Sequence, residues 1–193
     1  LAKNPKVVAI GECGLDYYRN DVNDKKEIER QKNLFRSQIE FAIEIDKPLM
    51  IHSRNAYEDI LEILSEYKKI NKSLRGDIHF YSGNLEQANK FIDLGFTISF
   101  AGPITFPPRV EERARVEAGA GVYDEVIKNV PLTSILAETD APFAAPMPYR
   151  GKRNEPSYVM EVVKKIAEVR GEDFEMVRKT IVENTLRLFQ ISP

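Results

Sequence analysis

Four residues combine metal-binding chemistry with equivalent placement. Glu12 follows VVAIG, His52 follows LMI, His79 follows GDI, and Asp140 ends ILAETD. The sequence has 2 histidines in all, and both fall in this set. A carboxylate or imidazole at the end of an apolar strand must be hydrogen-bonded, paired or metallated, since burying it alone costs on the order of several kcal/mol. Taken singly, a strand-end histidine reads as a structural residue, and an aspartate before Ala-Pro as a turn or cap. Taken together, four such residues favour one shared cation. Two carboxylates and two neutral imidazoles form a mixed oxygen and nitrogen set suited to Zn or Mn, and to Mg where waters complete the shell. Gly11 and Gly14 flank Glu12 and let the backbone approach closely there. Cys13, the 1 cysteine, alternates with Glu12 along the strand, so its side chain points away from the set. It reads as a small buried hydrophobe.

Positioning these groups requires repeated strand and helix units. KVVAIG (6–11), KPLMIHS (47–53), RGDIHFY (75–81), FTISFAG (96–102) and TSILAETD (133–140) read as buried strands. Between the first two, Ile28, Phe35, Ile39, Ala42 and Ile43 lie at helical spacing after a cap at Asn23. Asn55 and Asn84 are placed to cap the next two helices, and Gly95 sits at a helix end. Residues 111–129 read as helical with a break at AGAG, and two helices over about 155–170 and 173–189 are separated by Gly171. Strand, helix, strand units without hairpin signals imply parallel strands joined by right-handed crossovers. Ligand sites of such folds lie at the carboxyl ends of the strands, where the four residues stand. Five units fall short of the eight of a β/α barrel, which uses about 250 residues. The alternatives are an open α/β sheet and a barrel whose front is absent.

Composition narrows the function. With 193 residues, 42% hydrophobic and 30% charged, the chain suits a single domain over residues 1–193. No apolar run reaches the ~20 residues of a membrane span, LAKNPK lacks a signal-peptide layout, and a lone cysteine fits a reducing compartment, so a cytoplasmic location is expected. A net charge of -2 argues against coating nucleic acid by bulk electrostatics, while leaving room for a local basic site.

The motifs are more specific than their positions. GECGLDYYR resembles the GExGLDYYR signature of TatD-like metal-dependent deoxyribonucleases, KPLMIHSRNA their P-x-x-IHxR-x-A, and GDIHFYSG their HCFSG segment. FTISFAGPITF is similar to their YISFSGxxTF, LAETDAPFAAPMPYRGKRNEPSYV to their LLETDAPYLAPxPxRGKxNEPxYV, and EDFEMVRKTIVENTLRLF to their last helix. The likeness runs in order over about residues 6–190.

The resemblance implies an α/β fold of the TIM-type, amidohydrolase-like (β/α) barrel, here strands 4 to 8 with their helices. It also implies two divalent ions, Mg, Mn or Zn, and hydrolysis of DNA phosphodiesters, as a 3′ exonuclease or an endonuclease. Carried over, Glu12 bridges both ions, His52 and His79 hold one, and Asp140 contacts the other beside the attacking water. Glu12 and Asp140 are thus the catalytic carboxylates. The family's H-x-H pair, which completes the site Asp140 joins, does not occur here. Together with the Leu start, its absence leads to the expectation that an upstream segment lies outside this chain or that the gene is truncated. It also implies a weakened second metal site, and open sheet edges through which the chain self-associates. Residues 107–122 are longer than the family's usual connection.

Other residues have competing readings. Arg54 shares His52's face of the strand and suits either a phosphate clamp or a surface salt bridge. Arg150, Lys152 and Arg153 follow Asp140 and are placed to bind a nucleic-acid backbone. Asp16 fits a partner that orients a metal ligand, and Glu138 a structural role. Tyr17, Tyr18 and Tyr81 either stack bases or pack under loops, with packing favoured. Asn154 with Pro156 reads as a helix start. Two other functions remain open: hydrolysis of a different ester such as aminoacyl-tRNA, and a non-catalytic interaction module.

Overall fold

A computed structural model describes residues 1–18, 24–107 and 122–192. Among them are five strands, β1 (Ile10–Asp16), β2 (Leu49–Arg54), β3 (Gly76–Ile78), β4 (Thr97–Phe100) and β5 (Ile135–Ala137). The helices are α1 (Lys25–Glu44), α2 (Tyr57–Ile70), α3 (Leu85–Asp93), α4 (Val122–Asn129), α5 (Val159–Arg170) and α6 (Phe174–Phe189). The chain divides into two compact units, Leu1–His79 with Lys90–Thr97 and Leu186–Pro193, and Phe80–Asn89 with Ile98–Thr185.

In the first unit β1, β2 and β3 pair in parallel, with Gly14 opposite His52, Asp16 opposite Arg54 and Ile51 opposite Ile78. Parallel strands need a crossover, and α1 and α2 supply it. Helix α1 buries Phe35, Ile39 and Ala42, an i, i+4, i+7 stripe, and α2 buries Ile60, Leu61, Ile63 and Leu64. Leu15, Leu49, Ile51 and Ile78 are fully buried on the strands. Each such side chain contributes about 1.5–3 kcal/mol. The start of β4 is fixed in this unit by Thr97, whose Oγ1 donates to Asp77 Oδ1 at 2.6 Å. In the second unit β4 and β5 pair in parallel, Ile98 with Ile135 and Phe100 with Ala137.

All five expected strands exist, with shifted ends. The first begins at Ile10 rather than residue 6 and runs on to Asp16, so Glu12 lies within the strand and not beyond it. The strand carries a bulge near its start. Three steps from Ile10 to Cys13 face two from Leu49 to Ile51, and the extra residue falls in the Gly11–Glu12 stretch. The helix punctuation is mixed. Asn84 forms a capping box: its Oδ1 accepts from Gln87 N at 2.9 Å, and its own N–H donates to Gln87 Oε1 at 3.2 Å. Gly95 (φ +82°) and Gly171 (φ +65°) close helices in the left-handed conformation. Asn55 does not cap α2; it takes φ +57°, and Ala56 occupies the cap with no side-chain bond. Asp24 caps α1 by accepting from Glu27 N at 3.1 Å, and Asn23 lies outside the described residues. The expected helix over 111–129 is described only as α4, because residues 108–121 are outside them too.

Candidate functional site

The bulge in β1 aims Glu12 at two imidazoles. Gly11 has no room for a side chain, since a Cβ there would stand 2.5 Å from Met50 Cβ. Gly14 takes φ +137°, a backbone conformation that side-chain-bearing residues rarely adopt, and a Cβ there would meet His52 O at 2.1 Å. Both glycines therefore let β1 close on β2, which carries His52. Glu12 Oε2 stands 3.8 Å from His52 Nδ1, and its Oε1 stands 3.7 Å from His79 Nε2. His79 follows β3 directly, its N–H donating to Ile51 O at 2.9 Å. Accessibility is graded: the Glu12 side chain is 53% exposed, His52 36% and His79 11%.

These contacts are too long for direct hydrogen bonds. Two donors each about 2.1 Å from a tetrahedral ion stand roughly 3.4 Å apart, a few tenths of an ångström less than the separations here. The described residues hold no cluster of three or more His, Cys, Asp and Glu side chains already set for an ion. What they hold is an open arrangement in which one carboxylate faces two ring nitrogens. Its donor chemistry and spacing fit a divalent ion after a small closing movement.

Asp16 lies on the far side of His52. Its Oδ2 is 3.1 Å from His52 Nε2, and its Oδ1 accepts from Tyr18 N at 2.8 Å. With Nε2–H donated to Asp16, the Nδ1 lone pair of His52 is left facing Glu12. Asp16 is thus placed where an orienting partner belongs. Gln31, which nothing in the sequence pattern marks, joins the group from α1: its Oε1 accepts from Asp16 N at 2.9 Å and its Nε2 donates to Asp16 O at 3.1 Å. Glu12, Asp16, Gln31, His52 and Leu34 line a groove of about 410 Å³.

Arg54 makes no salt bridge among the described residues; its guanidinium lies 3.5 Å above the Tyr18 ring. Tyr18 is 59% exposed, against the expectation of packing, while Tyr17 and Tyr81 are buried. The Tyr17 hydroxyl donates to Asp59 at 2.7 Å, and burial, with that carboxylate, raises its pKa. Burial, seconded by the charge of Glu12, pushes the Cys13 thiol up to about 12. Cys13 is therefore inert, its Sγ 3.5 Å from Met50 O.

In the second unit Glu138 is structural: its Oε1 accepts from Phe80 N at 2.6 Å and from Ser99 Oγ at 2.7 Å. Asp140 opens the proline-rich loop, and its carbonyl accepts from Phe143 N at 2.6 Å. Arg150 lies 4.3 Å over the Phe106 ring, and Tyr149 stacks on Tyr158 at 3.8 Å. Lys152 and Arg153 are exposed. Asn154 is 2% exposed and pins the loop by donating to Phe143 O at 2.6 Å; the expected helix start lies just beyond it, where Pro156 opens a 3₁₀ turn (Pro156–Tyr158) that leads into α5, with Glu155 rather than Asn154 at the cap.

Parallel strands crossed over by helices, with carboxylate and imidazole donors on three neighbouring strand segments, define an α/β protein of the type that carries its chemistry at strand ends. The family model described as TatD related DNase matches residues 1–190, and the chain belongs to that family. It is 41% identical over 192 residues to a protein of Bacillus subtilis named uncharacterized metal-dependent hydrolase YabD, covering 100% of this chain and 69% of that one. It is 32% identical to a putative deoxyribonuclease TATDN1 homolog of Encephalitozoon cuniculi, covering 98% of this chain and 66% of the relative. The crystal structure of YjjV, a TatD homolog of Escherichia coli, superposes with a TM-score of 0.81 at 31% identity, over 97% of this chain and 66% of that one. A dihydroorotase of Campylobacter jejuni, at 13% identity and TM-score 0.55, shares the fold alone. The chain spans about two thirds of the length of these relatives.

Proposed function

We propose that the chain is a metal-dependent hydrolase that cleaves DNA phosphodiester bonds, acting as a 3′ exonuclease on single-stranded ends. The observation that carries this reading is Glu12 set between His52 Nδ1 and His79 Nε2 at 3.8 and 3.7 Å. Glu12, His52 and His79 hold one divalent ion, Mg, Mn or Zn. Asp140 serves a second site that this chain's residues leave incomplete, because its two histidines are both used in the first. When bound, the ion supplies positive charge to a phosphoryl oxygen and lowers the pKa of the attacking water.

The chain's own residues do the rest. Asp140 accepts the proton that the water loses. Arg54, its guanidinium carbon 3.5 Å over the Tyr18 ring, offers N–H donors to a phosphate, and the other face of the tyrosine is offered to a terminal base. Arg150, Lys152 and Arg153 follow the strand's backbone without reading its sequence. The family description, and the name of the relative from Encephalitozoon cuniculi, support DNA as substrate.

The test is an end-labelled single-stranded oligonucleotide incubated with the purified chain and Mn or Mg. Stepwise loss of 3′ nucleotides is expected, abolished by chelator and lowered at least ~100-fold by Glu12→Gln. Cleavage that survives both treatments would overturn the assignment. Release of an amino acid from aminoacyl-tRNA with no action on DNA would keep the ion and change the substrate.

A further inference from the structure

We propose that Gln31 is a positioning residue for the metal ligand His52, acting through Asp16 at the outer edge of β1. The inference deepens the metal-site reading above and rests on it in part.

Asp16 is the last residue of β1, and its neighbour on β2 is Arg54. Within the first unit β1 pairs only with β2, so the outer edge of Asp16 offers a backbone N–H and C=O that no strand takes up among the described residues. Gln31 takes both. Its amide mimics a peptide, accepting from Asp16 N at 2.9 Å and donating to Asp16 O at 3.1 Å. A primary amide matches this donor and acceptor pair in one orientation only. The orientation is set by Glu27, whose Oε1 accepts from the same Nε2 at 3.3 Å, while Glu27 is itself held by Arg30 at 2.7 Å. A flipped amide would turn its oxygen on a carbonyl and a carboxylate.

The consequence runs along the chain to the imidazole. With the N–H and C=O of Asp16 both held by Gln31, and the next residue's N–H donating to Arg54 O on β2 at 2.9 Å, its side chain has a fixed origin. Oδ1 is occupied by Tyr18 N at 2.8 Å, and Oδ2 faces His52 Nε2 at 3.1 Å. That contact selects the His52 tautomer protonated at Nε2 and leaves Nδ1 free towards Glu12 Oε2. The side chains of Asp16 and His52 are 41% and 36% exposed, so packing alone does not fix either one. Helix α1 thus sets the register of a donor atom through hydrogen bonds that never touch the ion.

The experiment uses the full chain with ¹⁵N-labelled histidine. There are 2 histidines, so a His79→Asn variant assigns both. Long-range ¹H–¹⁵N spectra of the metal-free protein report the tautomer directly. Wild type should show His52 protonated at Nε2 with an unprotonated Nδ1. Gln31→Leu should turn this into a mixture of tautomers and weaken Zn or Mn binding, read by calorimetry, by about 10-fold or more. Gln31→Glu keeps one acceptor, loses the donor and should fall in the same direction. It is the fallback if the leucine variant does not fold. Asp16→Asn, which removes the acceptor itself, sets the full size of the effect. A folded Gln31 variant with an unchanged His52 spectrum and unchanged metal affinity overturns the proposal. A tautomer shift in a protein that binds no metal in any form keeps the relay and removes the metal reading instead.

Discussion

Cys13 shows how far one buried group can be read. Its native thiol is pushed up to about 12 from an ordinary value of 9.0, first by burial and then by the charge of Glu12. The unfolded chain therefore loses this proton first as pH rises. The stability linked to Cys13 is fully present below pH 9 and is lost as pH climbs from 9 towards 12. The slope is about 1.4 kcal/mol per pH unit at most. Denaturant titrations of wild type and Cys13→Ala at pH 8 and pH 10 should show wild type losing roughly 1 kcal/mol more. The raised Tyr17 is common to both proteins and cancels. Parallel pH dependence would mean that the thiol is solvated in the native state. Iodoacetamide should likewise leave Cys13 unmodified at pH 8 until the chain unfolds.

Among the elements, the tight approach of β1 to β2 is the feature on which the site depends. Gly14→Ala combines φ +137° with a Cβ 2.1 Å from His52 O, so the two strands must part where Glu12 faces His52. A loss of about 3 kcal/mol is expected, read as a melting point roughly 6–12 °C lower. The variant should also lose metal binding in whatever fraction remains folded. Retention of wild-type stability would mean that the bulge is not built as described. Elsewhere Asn184, 1% exposed, donates to Leu132 O at 2.8 Å and Ile135 O at 2.9 Å and so seats α6 on the entry to β5. Asn184→Leu strips both carbonyls of this donor and should cost about 2–3 kcal/mol by denaturant titration. Such elements mark what the sequence can and cannot convey. The apolar runs mark all five strands, because period and composition are local signals. The bulge between Ile10 and Cys13 has no such signal, since it depends on the partner strand and not on the strand's own composition. Asn55 reads as a cap, yet its neighbour Ala56 takes that position. Gln31 carries no signal at all: its role exists only once α1 lies along the edge of β1.

At the level of the whole molecule, charge decides how nucleic acid would be held. A net charge of -2 and a pI near 5.9 give no general attraction for a polyanion, so any affinity must come from cations gathered locally. Several basic side chains are already engaged in ion pairs, among them Lys32 with Asp59, Arg36 with Glu66, Arg75 with Asp46 and Arg170 with Glu172. Arg150, Lys152 and Arg153 have no ion pair among the described residues, and they lie within four positions of one loop. Each phosphate contact on a single strand adds about 0.7 to the slope of log K against log salt. Replacing all three residues with alanine should therefore lower that slope by about 2, measured by fluorescence anisotropy on a labelled oligonucleotide with chelator present to prevent cleavage. The loss should not depend on the base sequence of the oligonucleotide, since backbone contacts carry no sequence information. Melting should change little, because the three side chains are exposed. An unchanged slope would place the nucleic-acid contact elsewhere on the chain, or outside it.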